Sequence, residues 1–199
     1  MYNWRKITEV QRQELLALRR QLQLPWHSPP HREDDTGLYH LTAACYEHCP
    51  IIGTTPERMS AFAQELLALL TGLGCEVRAW CILPNHYHLL VKASSVLGVI
   101  GELGRLHGRT SYHWNGEEQA RGRQVWCRAV DRGMRSEAHY WGTMNYIHHN
   151  PVKHGYAVRW HDWPYSSAIE YLAEVGKARA AEIWRDYPIL DYGKGWDDV

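Results

Sequence analysis

The sequence lacks long hydrophobic runs and has no excess of charge of either sign. In its 199 residues, no apolar run approaches the roughly 18 residues that a membrane-spanning helix needs. Met1 is not followed by a signal-like apolar segment, so we expect a cytoplasmic protein. Basic and acidic residues number 22 each, which argues against a uniformly basic nucleic-acid-binding protein.

The cysteines form no C-x-x-C pair, and their number, five, is odd. A disulfide framework and a zinc ribbon are therefore both disfavoured. We expect all five to be reduced and mostly buried: Cys45, Cys49, Cys75, Cys81 and Cys127.

Charge is unevenly distributed along the chain. Residues 75–159 contain five more basic than acidic side chains, whereas the segment from Trp160 onward contains four more acidic than basic ones. The basic half would suit a local anionic partner, and a solvated surface of mixed charge is the alternative.

The stretch LPNHYHLLVK, residues 83–92, contains two histidines in a strand-like setting. Pro84 and Asn85 indicate a turn, and the residues after them predict a strand. Side chains two apart on a strand point to the same face, so His86 and His88 project side by side. Two neutral imidazoles so placed can hold a divalent metal, although a lone His-x-His is also common on a sheet surface.

Composition divides the chain into three parts. Residues 1–36 are interpreted as an N-terminal extension, with a capped amphipathic helix over Thr8–Leu22 and then a proline-rich connector. Residues 37–175 are predicted to form one domain, and residues 176–199 an acidic C-terminal tail.

Residues 37–175 show the order of a ferredoxin-like βαββαβ antiparallel sheet, so we predict the α+β class. The helices would cover one face and leave the other free for a ligand, with a further C-terminal helix and tail. The predicted strands are Gly37–Cys45, Cys75–Leu83, the stretch after Asn85, and Gln124–Val130. The predicted helices run from Thr55 to about Thr71, Val96 to about His113, Ser136 to about Asn150, and Trp163 to about Val175.

A second stretch, NYIHHNPVKHG at residues 145–155, contains a tyrosine and an asparagine four residues apart. That spacing places Tyr146 and Asn150 on one helix face. An asparagine amide oxygen suits magnesium or manganese, and a tyrosine can act as a nucleophile. Taken alone, each residue is also compatible with simple packing or a helix end.

Together, the two stretches resemble a known family. His86-Tyr87-His88 resembles the His-hydrophobic-His motif of the HUH single-strand nucleases, and residues 146–155 resemble the helix of their single-tyrosine transposase branch. Leu83-Pro-Asn-His-Tyr-His-Leu-Leu-Val and Trp163-Pro-Tyr-Ser-Ser are similar to the REP-associated tyrosine transposases. The resemblance covers roughly residues 37–171.

The resemblance implies a metal-dependent transposase that nicks and joins single-stranded DNA. His86, His88 and Asn150 would bind Mg²⁺ or Mn²⁺, and Tyr146 would form a covalent 5′-phosphotyrosine. The substrate would be a hairpin of a palindromic repeat with a single-stranded flank. The protein would act as a monomer or homodimer associated with the nucleoid, away from membranes and without a nucleotide cofactor.

Basic side chains are the candidates for DNA phosphate contacts. Trp126 and Tyr87 could stack on unpaired bases, with core packing the better interpretation of Trp126. The phosphate candidates are Lys92, Arg105, Arg109, Arg128, Arg132, Arg135 and Lys153.

Two other functions are compatible with the sequence. One is a host-retained protein that binds palindromic hairpins with little or no turnover. The other is a metal-dependent phosphohydrolase that uses water and needs no tyrosine.

Overall fold

A four-stranded antiparallel sheet forms the centre of the molecule, with strand order β2-β3-β1-β4. The computed structural model describes residues 8–21, 37–190 and 192. The strands are β1 (Leu38–Ala44), β2 (Glu76–Leu83), β3 (His86–Lys92) and β4 (Val130–Gly133). The helices are α1 (Glu9–Gln21), α2 (Pro56–Gly72), α3 (Val96–Glu117), α4 (Glu137–Lys153), α5 (Ala168–Val175) and α6 (Lys177–Asp186).

The chain order β1-α2-β2-β3-α3-β4 confirms the predicted α+β class and the ferredoxin-like sheet. The helix starts follow from local chemistry. Thr55, Ser95 and Ser136 each accept a hydrogen bond from a backbone N–H in the first turn of α2, α3 and α4. Thr8 and Gln11 bond reciprocally before α1, as the predicted capping box requires. The proline-rich connector lies outside the described residues.

Helices cover both faces of the sheet, which corrects the expectation of one free face. On one face, α2 and α3 pack on a core that includes Leu41, Tyr87 and Leu89. On the other face, α4 packs on β2 and β3, α5 packs on β2, and α6 packs against α5. The apolar cluster on this face includes Ile147 and Ile183. The prediction of an open face is wrong because this face carries the apolar residues Ala79, Leu83 and Leu90, and their burial stabilises the packing of the helices that cover it.

The fourth strand lies later than predicted. Of the predicted segment Gln124–Val130, Trp126 makes only an isolated bridge with Cys45, and the strand proper is Val130–Gly133. The β-forming residues Val125 and Trp126 are buried in the core without extended pairing. Their sequence signal reflects burial rather than membership of the sheet.

Three helical segments extend beyond the predictions. Helix α3 ends at Glu117 rather than at about His113. Helix α4 continues past Pro151 to Lys153, because a proline in the last turn removes only one backbone hydrogen bond. Residues 177–186, assigned above to the acidic tail, form α6 and bury Ala180 and Ile183. The domain boundaries themselves stay a prediction. None of the described helices is long and apolar enough to cross a membrane.

The five cysteines are free, as predicted. Cys45 and Cys81 are buried, whereas Cys49 and Cys127 are exposed. The expectation of mostly buried thiols is therefore wrong for those two.

Candidate active site

The central strand β3 places two histidines on the face that α4 covers. His86 and His88 are 2% and 1% exposed. Register fixes their surroundings, since His86 lies opposite Ala44 of β1 and Leu83 of β2. Because strand side chains alternate between faces, the His-x-His spacing predicted that both histidines point to the same face.

Helix α4 brings a tyrosine and an asparagine onto the same histidines. Tyr146 and Asn150 are buried, and the Tyr146 ring lies edge-on to the His88 ring with centroids 5.2 Å apart. The Asn150 Oδ1 atom is 3.0 Å from the Nε2 atom of His86. Four residues from stretches sixty positions apart therefore meet in one buried cluster.

His86 lies between two amide oxygens. Its Nδ1 atom is 2.7 Å from Asn85 Oδ1, and its Nε2 atom faces Asn150 Oδ1. A neutral imidazole carries one proton and can donate to only one of these acceptors. The second contact is satisfied by a rotated amide, by a protonated ring or by a cation between the two acceptors. Asn150 Nδ2 is itself buried without a hydrogen-bond partner among the described residues.

Two imidazole nitrogens and one amide oxygen are all groups that can ligate a divalent metal ion. Neighbouring ligands of an octahedral ion with bonds of about 2.1 Å stand about 3.0 Å apart, which matches the separation of His86 Nε2 and Asn150 Oδ1. The described part of the chain contains no group of three His, Cys, Asp or Glu side chains suited to a metal. A site here would thus use His86, His88 and the neutral amide of Asn150.

A third histidine supports the pair and was missed by sequence reasoning. His40 of β1 is 2% exposed, and its Nε2 atom is 3.2 Å from His88 Nδ1. The sequence holds no signal for this contact, because it depends on how β1 pairs with β3. His40 orients the His88 ring from the side away from Nε2.

A cleft of about 340 Å³ opens beside the cluster. The Lys153 ammonium lies 5.4 Å from the centroid of the Tyr146 ring. Tyr192 packs edge-on to Tyr146 with centroids 5.4 Å apart, and its hydroxyl is 2.5 Å from Thr143 Oγ1. Burial raises the pKa of the Tyr192 phenol. The cleft is lined by Tyr146, His149, Asn150, Lys153, Ile189, Leu190 and Tyr192.

Comparison with known proteins points to one group. A Haemophilus influenzae protein named as a REP-associated tyrosine transposase is 32% identical over 102 residues, which is 46% of this chain and 58% of that protein. A REP-associated tyrosine transposase solved with a REP hairpin superposes with a TM-score of 0.58 over 73% of this chain and 86% of that one, at 19% identity. No protein-family model matches the sequence.

The chain is similar to REP-associated tyrosine transposases, in sequence over the matched segment and in fold over most of its length. The resemblance found in the sequence is therefore confirmed. The alignment spans less than two thirds of the Haemophilus protein. A transposase of Deinococcus radiodurans also matches 64% of this chain and 92% of its own, at 16% identity and a TM-score of 0.40.

The basic residues expected to contact DNA in such a transposase are scattered. Lys153 lines the cleft. Arg132 lies within hydrogen-bonding reach of Tyr192, and its charge also acts on His139. Lys92 lies at the far end of β3, where it pairs with Glu76. Arg105 and Arg109 are exposed on α3, across the sheet from the cluster, and Arg128 and Arg135 are exposed on the segments flanking β4.

The aromatic residues suggested as base-stacking platforms lie in the core. Tyr87 is fully buried and Trp126 is 8% exposed. The suggestion for Tyr87 is wrong, because odd positions of β3 face α2 and α3.

The three histidines at and just after the C-terminal end of α4 differ in their surroundings. His148 faces away from the cleft, where its Nε2 atom is 3.0 Å from Ser167 Oγ, and burial lowers its pKa to about 3. His149 lines the cleft, and burial followed by the charge of Lys153 lowers its pKa. The His154 ring lies edge-on to His86 with centroids 5.1 Å apart.

Proposed function

We propose that this protein nicks and rejoins single-stranded DNA beside the hairpins of palindromic repeats, through a covalent bond to Tyr146. The observation that carries the proposal is the buried meeting of His86 and His88 with Tyr146 and Asn150. The solved relative bound to a REP hairpin supports the choice of DNA.

Tyr146 would attack the scissile phosphorus through its phenolic oxygen. The new O–P bond forms as the phenol loses its proton, and the bond from phosphorus to the 3′ oxygen breaks. The products are a 5′-phosphotyrosine and a strand that ends in a 3′-hydroxyl. Attack by another 3′-hydroxyl reverses the reaction, so strands are exchanged without a nucleotide cofactor.

His86, His88 and Asn150 would hold Mg²⁺ or Mn²⁺ next to the tyrosine. When bound, the ion polarises the phosphate and offsets the negative charge that grows on its oxygens. Lys153 lies beside the Tyr146 ring and would add a second positive charge at the same phosphate.

The test is a cleavage assay on labelled hairpin DNA with a single-stranded flank, run with Mn²⁺, with Mg²⁺ and with EDTA. Products are separated on a denaturing protein gel, and Tyr146→Phe is run beside the wild type. We expect a DNA–protein adduct that requires metal and is lost in the variant. Tyr140→Phe is the matched control, since that tyrosine lies two turns earlier on α4 and does not line the cleft.

The three candidate functions give different products. Tight binding without an adduct in either protein would exclude the nicking mechanism and favour a retained hairpin-binding protein. Metal-dependent cleavage that persists in Tyr146→Phe would favour hydrolysis by water.

One observation favours the hairpin-binding alternative. Tyr146 is only 1% exposed, and Ile189, Leu190 and Tyr192 line the cleft over it. DNA must displace these side chains before it reaches the phenol, which would keep turnover low. Tyr192→Ala should then raise the adduct yield while hairpin affinity changes little.

A further inference from the structure

Asn85 links His86 to the backbone of a neighbouring segment. Its Oδ1 atom is 2.7 Å from His86 Nδ1, and its Nδ2 atom is 3.2 Å from the carbonyl oxygen of His48. The sequence suggested only a turn at Pro84 and Asn85. The side chain of the turn residue instead bridges a candidate metal ligand to the main chain.

The orientation of the Asn85 amide is determined by its partners. A carbonyl oxygen can only accept, so the amide atom that faces His48 O must be the NH₂ group. The atom that faces His86 is therefore the amide oxygen, which can also only accept. It follows that His86 Nδ1 carries the proton and that the lone pair of the neutral ring is on Nε2.

The backbone around this bridge is rigidly placed. The Asn85 carbonyl accepts from Cys45 N at 2.7 Å, and the Pro84 carbonyl accepts from Gly53 N at 2.9 Å. A Cβ atom on Gly53 would come within 2.4 Å of the Pro84 side chain, so only glycine allows this approach. The turn cannot shift without breaking these contacts.

We propose that Asn85 is a positioning residue that holds His86 in the Nδ1–H tautomer and thereby presents Nε2 towards Asn150. The identity of the ion that Nε2 meets rests on the proposed function. The tautomer itself does not, because it follows from the Asn85 contacts alone. Asn85 thus has the role of the outer hydrogen-bond partner of a metal-ligating histidine.

The tautomer can be measured on the metal-free protein. In ¹⁵N-histidine-labelled protein at pH 8, above the ordinary histidine pKa of about 6.5, protonated and bare ring nitrogens resonate far apart. His86→Gln assigns the signals of His86. We expect the wild-type His86 ring to be protonated on Nδ1 and bare on Nε2, whereas the Nε2–H form predominates in free histidine.

Two substitutions at Asn85 distinguish the effect of its hydrogen-bond acceptor from the effect of its packing. Asn85→Ala removes the acceptor, so we expect His86 to become a mixture of tautomers and the affinity for Mn²⁺ to fall about 10- to 100-fold. Asn85→Asp keeps an acceptor oxygen and should retain both the Nδ1–H tautomer and an Mn²⁺ affinity within about threefold of wild type. Mn²⁺ binding is measured by electron paramagnetic resonance without DNA.

Asn115→Ala is the matched control. Asn115 is another buried asparagine, and it bonds to Arg123 rather than to the cluster. This variant should lose stability without changing the His86 tautomer or Mn²⁺ affinity.

Several results would overturn the proposal. A wild-type His86 protonated on Nε2 would do so directly, as would an Asn85→Ala protein with unchanged tautomer and Mn²⁺ affinity. If Asn85→Ala does not fold, the wild-type spectrum and Asn85→Asp still decide. Absence of a DNA adduct in every protein would count against the proposed function and leave the tautomer result intact.

Discussion

Two buried histidine sites lie on opposite faces of strand β3, and they differ in the partners of their ring nitrogens. On one face, His107 Nε2 is 3.1 Å from the Tyr87 hydroxyl, and the ring stacks on Trp126 with centroids 4.3 Å apart. A hydroxyl both donates and accepts, so this contact is complete within the protein. On the other face, His86 meets two amide oxygens that can only accept.

Burial alone therefore does not mark a binding site, since both histidines are less than 10% exposed. The histidine with complementary partners serves packing. At His86, the contact between Nε2 and Asn150 is satisfied by a rotated amide, by a proton or by a cation.

The first test compares the loss of activity with the loss of stability when the histidine on each face of β3 is replaced. His86→Ala should lower adduct formation about 10³-fold, because a bound ion contributes several kcal/mol of charge stabilisation. His107→Ala should leave adduct formation by the folded protein near wild type but lower the free energy of unfolding by about 2–3 kcal/mol, since it removes packing and strands the Tyr87 hydroxyl. Quantified adduct gels and urea titrations measure the two effects. Equal losses of activity and stability in both variants would refute the division.

The second test uses pH. Burial lowers the pKa of His107 from 6.5 to about 4, so the folded protein keeps this ring neutral where the unfolded chain binds a proton. The contribution of His107 to the free energy of unfolding should therefore be constant above pH 6.5 and decrease as the pH falls from 6.5 to 4. In that range His107 adds up to about 1.4 kcal/mol per pH unit to the slope of the free energy of unfolding against pH. Because His148 is also buried neutral, its contribution has the same sign.

His107→Leu isolates the contribution of His107. In urea titrations at several pH values, this variant should lose stability less steeply than wild type as pH falls from 6.5 to 4. Parallel pH profiles for the two proteins would show that His107 is not buried in its neutral form.

Sequence reasoning predicted the four clustered residues of the candidate site and missed the residues that pack around them. The spacings His86-x-His88 and Tyr146-x₃-Asn150 are local, and strand and helix geometry turns each spacing into a shared face. The contact of His40 with His88 depends on sheet register, and the approach of Tyr192 to Tyr146 depends on how the chain returns after α6. No periodicity encodes either contact.

The fold was predictable to a similar depth. A helix cap depends on a single residue and its neighbours, so the predicted starts at Thr55 and Ser136 are correct. Edge strand β4 has the sequence Val-Asp-Arg-Gly, whose strand propensity is low. It forms because it pairs with the edge of β1 that β3 leaves unpaired.

The third test concerns the neutral ligand set. His86, His88 and Asn150 bring no negative charge, so a divalent ion bound to them should be held weakly until a DNA phosphate joins it. We expect hairpin DNA with a single-stranded flank to raise the affinity of the Tyr146→Phe protein for Mn²⁺ about tenfold. By linkage, Mn²⁺ should raise the DNA affinity by the same factor. A hairpin without the flank is the control, and an Mn²⁺ affinity independent of DNA would contradict the proposed ligand set.

The smallest effect is expected at the strained segment that supports Asn85. Glu47 and His48 both adopt left-handed backbone angles, with φ of 54° and 53°, and the His48 carbonyl accepts from the Asn85 amide. An L-residue pays roughly 1–2 kcal/mol for this conformation, whereas glycine does not. Glu47→Gly should therefore raise the free energy of unfolding by up to about 1 kcal/mol, because the greater flexibility of glycine in the unfolded chain offsets part of the gain. Glu65→Gly, at an exposed position inside α2, should instead lower it by about 1 kcal/mol. Urea titration of both variants measures the difference, and destabilisation of equal size by both would show that residue 47 is not strained.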